Sequence, residues 1–284
     1  MNSRPTMVSF SLLALLPVAL LWAVVVQAGA TTFPATVEVD LIFPRNDTYA
    51  PSALFPIVFA FQNAALAPSL DPGFDLTLWA VSGLNTTGYS PALDLAATNF
   101  SGSDPTYVYT YVTHLNAADD GTAASYRLAW DFSAGNCSDQ GGGALKFGGG
   151  FRNNSIEFTI QSGAQAPDLV AATASAAASC SNISHFAFNL TDTLNVALPA
   201  QYDSRNTCAV FSDVQPLVAG NPCAVQVGTA TASSISAALT ATACAAVSPV
   251  VSCPSTNAAP GGQDTGYTVV LGGIVAAFVA MHHL

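Results

Sequence analysis

Apolar side chains recur at every second position in one stretch of this chain after another, and that period of two decides the fold class. In residues 36–43, Val37, Val39, Leu41 and Phe43 alternate with Glu38 and Asp40. Successive side chains of a strand point to opposite faces, so this pattern predicts a strand with one buried face. Residues 74–81 put Phe74, Leu76, Leu78 and Ala80 on one face, and residues 126–132 do the same with Tyr126, Leu128, Trp130 and Phe132. Trp130 is therefore a core candidate. Residues 107–115 place Tyr107, Tyr109 and Tyr111 on one side and Val108 and Val112 on the other. Ile156, Phe158 and Ile160 mark a further strand, as do Phe186, Phe188 and Leu190, whose opposite face (His185, Ala187, Asn189) reads as wet because Asn189 opens a glycosylation sequon. Residues 55–61, FPIVFAF, are apolar on both faces, which predicts a central strand with Pro56 tolerable near its start.

Turn chemistry separates these stretches. Pro44-Arg45-Asn46-Asp47 closes the first strand and Asp71-Pro72-Gly73 precedes the strand at residues 74–81. Asp119-Asp120-Gly121 predicts a hairpin between residues 107–115 and 126–132. Two glycine triplets, 141–143 and 148–150, flank Lys146 without the Gly-Lys-Ser/Thr ending of a phosphate-binding loop, so they read as a flexible connection. Glu38 and Glu157 are the sole glutamates and Lys146 the sole lysine, which argues against long solvated helices. The alanine-rich residues 167–179 suit a short helix or a loop with an edge strand. Roughly eight to ten strands with turns between them predict an all-β fold, an antiparallel β-sandwich of immunoglobulin-like or jelly-roll-like type.

The two ends stand apart from this pattern. Residues 1–30 carry a lone base, Arg4, then an apolar run over residues 10–26, then Ala28-Gly29-Ala30, the form of a secretory signal peptide cut after Ala30. Residues 255–284 run from small residues through a polar spacer into an apolar tail, which is the three-part signal for a glycosylphosphatidylinositol (GPI) anchor. The apolar part, residues 268–281, falls short of the roughly 20 residues that a spanning helix needs. No Lys or Arg follows it to hold a cytoplasmic end. Asn257, followed by Ala258 and Ala259, is the expected attachment residue. Residues 31–254 are then a single sandwich domain, 255–284 an attachment signal whose tail is removed, and the anchor's partner is the outer leaflet of the plasma membrane.

Cysteine usage agrees with an oxidising compartment. Cys137, Cys180, Cys208, Cys223, Cys244 and Cys253 form an even set that predicts three disulfides with connectivity left open. After Phe211 the next aromatic is Tyr267, so cross-links are expected to substitute for bulky packing in the C-terminal part, with at least one pair inside residues 208–253. Seven N-x-S/T sequons, at Asn46, Asn85, Asn99, Asn136, Asn153, Asn182 and Asn189, imply a glycan-coated surface. The net charge of −11 and a single lysine exclude a basic surface for nucleic acid. Removing Arg4 and Asp264 with the two ends leaves that balance unchanged.

Residues 31–63, TTFPATVEVDLIFPRNDTYAPSALFPIVFAFQN, and above all FPRNDTYAP (43–51) with the following FPIVFAFQN, resemble the opening of a family of secreted fungal proteins known as domain of unknown function 7136. Its members often carry signal peptides and GPI tails, so the resemblance implies a fungal cell surface or cell wall. It implies no catalytic residue.

Candidate chemistry is sparse. A glycosidase would need two carboxylates about 5–9.5 Å apart, and Glu38, Asp40 and Glu157 all fall on polar faces of predicted strands, where acids usually solubilise. His114 and His185 are the two histidines between the signal segments, no G-x-S-x-G elbow accompanies them, and Thr31 stands where a copper oxygenase would need histidine. No catalytic residue, metal or cofactor is expected. The Tyr107, Tyr109, Tyr111 row could form an aromatic platform for a sugar chain, or else pack beneath a neighbouring segment. Two classes follow: a non-enzymatic structural or adhesive surface glycoprotein, or a protein that binds or remodels cell-wall polysaccharide.

Overall fold

The structure, a computed structural model, describes residues 32–81, 88–115, 123–141, 145–174, 183–195, 206–211 and 219–254. Nine strands among them build two facing sheets: β1 (Ala35–Phe43), β2 (Thr48–Tyr49), β3 (Phe55–Gln62), β4 (Gly73–Ala80), β5 (Thr106–Val112), β6 (Ala124–Asp139), β7 (Leu145–Ile160), β8 (His185–Asn195) and β9 (Thr207–Phe211). The five-stranded sheet runs β5-β3-β1-β8-β9 and the four-stranded sheet β2-β7-β6-β4. All pairings are antiparallel apart from the two-residue β2–β7 pair. The expected antiparallel β-sandwich is the observed fold.

The period-two pattern places the core. Phe55, Phe59 and Phe61 of β3 face Phe158, Trp130, Phe74 and Phe132 of the opposite sheet, with ring centroids 4.6–6.1 Å apart. Trp130 is fully buried and its Nε1–H donates to Ser184 Oγ at 3.2 Å, so its one polar group is satisfied. β3 is central and buried almost throughout, as its two-sided apolar sequence requires.

The structure corrects several expectations. β5 pairs with β3, and β6 pairs with β4 and β7, so residues 107–115 and 126–132 lie in different sheets and form no hairpin. A turn signal fixes a reversal locally, whereas the inward Val108 and Val112 of β5 are matched by Phe59 and Phe55 of β3. Gly148, Gly149 and Gly150 lie within β7, opposite Asn136, Gly135 and Ala134 of β6, and are not a flexible connection. Gly149 is the tight position, because a Cβ there would sit 3.2 Å from the carbonyl of Ala134, while Gly135 packs beside the end of the 3₁₀ helix Ala64–Leu70.

A further layer lies outside the five-stranded sheet. It consists of α1 (Leu169–Ala172), a strap over residues 219–228, and α2 (Thr229–Cys244), whose Ile235, Leu239 and Ala243 are buried. Cys244 bonds Cys253, and Cys137 of β6 bonds Cys208 of β9, tying the two sheets together. Cys223 is also disulfide-bonded. Cys180, Asn85, Asn182, Asn257 and both terminal signals lie outside the described residues.

Candidate functional site

The outer layer gives this sandwich its most unusual chemistry. Glu38 and Asp40 alternate with the core residues of β1, so both project to the sheet's outer face, where the sequence pattern predicts water. Instead the strap covers them: Glu38 is 4% exposed and Asp40 0%. Register places His185 of β8 beside Asp40 and Gln62 of β3 beside Glu38. Gln62 Nε2 donates both to Asp40 Oδ2, at 2.9 Å, and to the Asn221 carbonyl, at 3.1 Å. The Asn221 N–H donates to Glu38 Oε2 at 2.6 Å. Gly220 lies so close that a Cβ there would be 2.6 Å from His185 Cδ2 and closer still to Glu38 Oε1. Over Glu38 and Asp40, strap and sheet thus meet through Gly220 and the Asn221 backbone.

Burial first, and then the negative charge of Glu38, push the Asp40 carboxyl from its usual 3.8 up to about 8. Asp40 is therefore a neutral acid over most of the pH range. The two carboxyls lie within hydrogen-bonding reach. Asp40 Oδ1 and Glu38 Oε1 have no other partner among the described residues. Held as the neutral acid, Asp40 can donate its proton toward the Glu38 carboxylate.

His185 donates from Nδ1 to the Ile183 carbonyl at 2.9 Å. It is half-buried under the strap, so this face is covered rather than wet at the His185 end. Arg45 lies farther along the same edge. Burial lowers its guanidinium to about 10, opposed by the charges of Tyr49 and Asp40, and Nε, Nη1 and Nη2 find no hydrogen-bond partner among the described residues. Burial likewise raises the Tyr49 hydroxyl to about 12. That hydroxyl accepts the Arg45 N–H at 3.0 Å.

The remaining candidate residues separate. Glu157 sits on the outer face of the other sheet, exposed and paired with Arg127, whose Nε donates to it at 2.9 Å. It is therefore not brought to Glu38 and Asp40. His114 adopts a left-handed backbone, φ 62, beyond the end of β5. Tyr107, Tyr109 and Tyr111 do share one face, but half-buried and packed against the core, and Thr231, Ser234 and Ile235 of α2 border the cavity lined by the first two. The Tyr107 hydroxyl donates to the Gln226 carbonyl of the strap at 3.4 Å, and burial raises its pKa. The strap is further pinned where Val227 N–H donates to Thr173 Oγ1 at 2.9 Å.

Asn46, Asn99 and Asn153 are exposed, and Asn136 and Asn189 half-exposed. An open cavity of about 410 Å³ runs between the exposed Phe147 and Phe151 of β7, over Gly149 and Gly135. Among the described residues no group of three or more His, Cys, Asp or Glu is placed to hold a metal ion, and no helix is long and apolar enough to cross a membrane.

Sequence reasoning missed the carboxyl clasp because its lid comes from residues 183 positions away from Glu38. No curated protein and no solved structure matches this chain. A family model does match residues 32–253, nearly the whole of the two-sheet fold with its strap and closing disulfide, and the chain belongs to that family, the Domain of unknown function (DUF7136).

Proposed function

We propose that this protein is a GPI-anchored surface glycoprotein of the cell or cell wall, with a structural or adhesive role and no catalytic one. The observation that carries the reading is where the acidic groups go. The buried carboxyl pair of the described residues, Glu38 and Asp40, lies beneath the strap, which Glu38 holds through the Asn221 N–H. Glu157 is engaged by Arg127. Around this closed sandwich, the sequon asparagines of the described residues all retain surface exposure, as a glycan-bearing shell requires. Both disulfides with described partners suit an oxidising compartment. The family match begins at residue 32 and ends at 253, between the two predicted processing signals. Binding of wall polysaccharide is the competing reading, and the tyrosine row that would serve it is half-buried beside α2.

The test is release from intact cells by a phosphatidylinositol-specific phospholipase. The protein should pass into the supernatant with its glycans in place. Retention on cells both after phospholipase and after glucanase digestion of the wall would overturn the anchor.

A further inference from the structure

Phe151 is 77% exposed, the most exposed aromatic ring among the large apolar side chains on this surface. It belongs to β7, which among the described residues meets no strand but β6 at this level, since β2 reaches β7 only at Thr159 and Ile160. Gly150 precedes it, Ser133 lies opposite across the sheet, and no aromatic partner stands near it among the described residues. Leaving such a ring in water forgoes the free energy that covering it would release. The next residue on the same face is Asn153, exposed, and the one after that is Ser155, also exposed. Phe151, Asn153 and Ser155 thus present an aromatic ring, a glycosylation asparagine and its hydroxyl in one row, with successive members about 6.5–7 Å apart along the strand.

We propose that the N-linked glycan of Asn153 folds back over Phe151, its first N-acetylhexosamine stacking an apolar C–H face on the ring. The inference rests on the surface-glycoprotein reading, since it requires passage through a glycosylating compartment. In the attachment step Asn153 Nδ2 bonds to C1 of a sugar carried on a lipid diphosphate. The C1–O bond breaks, and the lipid diphosphate leaves with the amide proton. The sugar's length matches the gap between Asn153 and Phe151, and glycine and serine around the ring leave room for it. Across the sheet, Ser133 opposes Phe151 and the exposed Asp131 opposes Asn153, so no apolar side chain stands directly across from either.

The experiment uses the full chain secreted from a glycosylating host, with Phe151→Ala, Asn153→Gln and the double variant. Glycopeptide mass spectrometry should find Asn153 occupied. Each single change should lower Tm by about 2–4 °C, the shift that about 1 kcal/mol produces in a domain of this size. The double variant should melt no lower than Asn153→Gln alone, because the ring has nothing left to contact. Additive losses, or an unchanged Tm in Asn153→Gln, would overturn the stacking. A bare Asn153 beside other occupied sequons would overturn it too, while leaving the surface-glycoprotein reading intact. If all sequons are bare, both fall.

Discussion

Replacing Asp40 by asparagine should make this protein more stable in base and cost little in acid. Folding moves the Asp40 carboxyl from 3.8 up to about 8. Between those values the folded state holds a proton that the unfolded chain has lost, so stability falls as pH rises. It is fully present below the unfolded value and is lost progressively on approaching pH 8. The slope is at most about 1.4 kcal/mol per pH unit, giving an upper bound on the order of 5 kcal/mol across the window. Glu38 on β1, Arg45 in the turn after it, Gln62 on β3 and His185 on β8 surround the group, and Glu38 and Arg45 pull it in opposite directions. Asparagine keeps a carbonyl for Gln62 and offers Glu38 an N–H where the acid offered an O–H. Urea unfolding from pH 4.5 to 8.5 should show the parent protein weakening with pH and Asp40→Asn nearly flat, with the variant ahead by a few kcal/mol at the basic end. A parent protein that gains stability from pH 5 to 8, or a variant destabilised equally at every pH, would refute a neutral Asp40 beneath the strap.

Four other changes probe the same architecture. Gly220→Ala drives a methyl into the Glu38 carboxylate and the His185 ring and should cost about 1–3 kcal/mol by overpacking, measured by chemical denaturation. Removing the Cys137–Cys208 bond, which spans a sequence separation of 71, should cost about 4 kcal/mol, while removing Cys244–Cys253, with a separation of 9, should cost about 2.5 kcal/mol; paired Cys→Ala variants compared by melting check the order. The double change Tyr109→Ala with Tyr111→Ala should lower stability by about 3 kcal/mol as half-buried rings are lost; an unchanged melting curve together with lost pull-down by insoluble glucan would instead support the polysaccharide reading.

The strands were legible because their cause is local. Val37, Val39, Leu41 and Phe43 alternate wherever the chain goes, and Trp130 in its alternating stretch had one place to be. What covers a strand is not local. Glu38 and Asp40 look solvated in their own segment, and become a buried pair only when Gly220 and Asn221 arrive from the far end of the chain. α2 was hidden for a related reason. Its sequence TATASSISAALTATAC contains just two large apolar residues, Ile235 and Leu239, so the helical period rests on these and Ala243, spaced four apart. Alanine's high helix propensity was the signal available, and the cysteines flanking it drew attention to cross-linking instead. Partner choice between sheets was equally out of reach: Asp119-Asp120-Gly121 announces a turn, while the join of β5 to β3 depends on side chains some fifty residues apart in sequence, such as Val108 and Phe59. The tyrosine row was read correctly as one face, but its roof was not foreseeable without α2.

On the proposed function, residues 31–254 reach the surface between two removable signals and are held there by a lipid. Mass spectrometry of the mature protein's terminal peptides tests this most directly. The expected result is an N-terminus at Thr31 and a C-terminal peptide ending at Asn257 that carries an ethanolamine-linked glycolipid remnant. Recovery of an unmodified peptide reaching Met281 from the purified surface protein would contradict it.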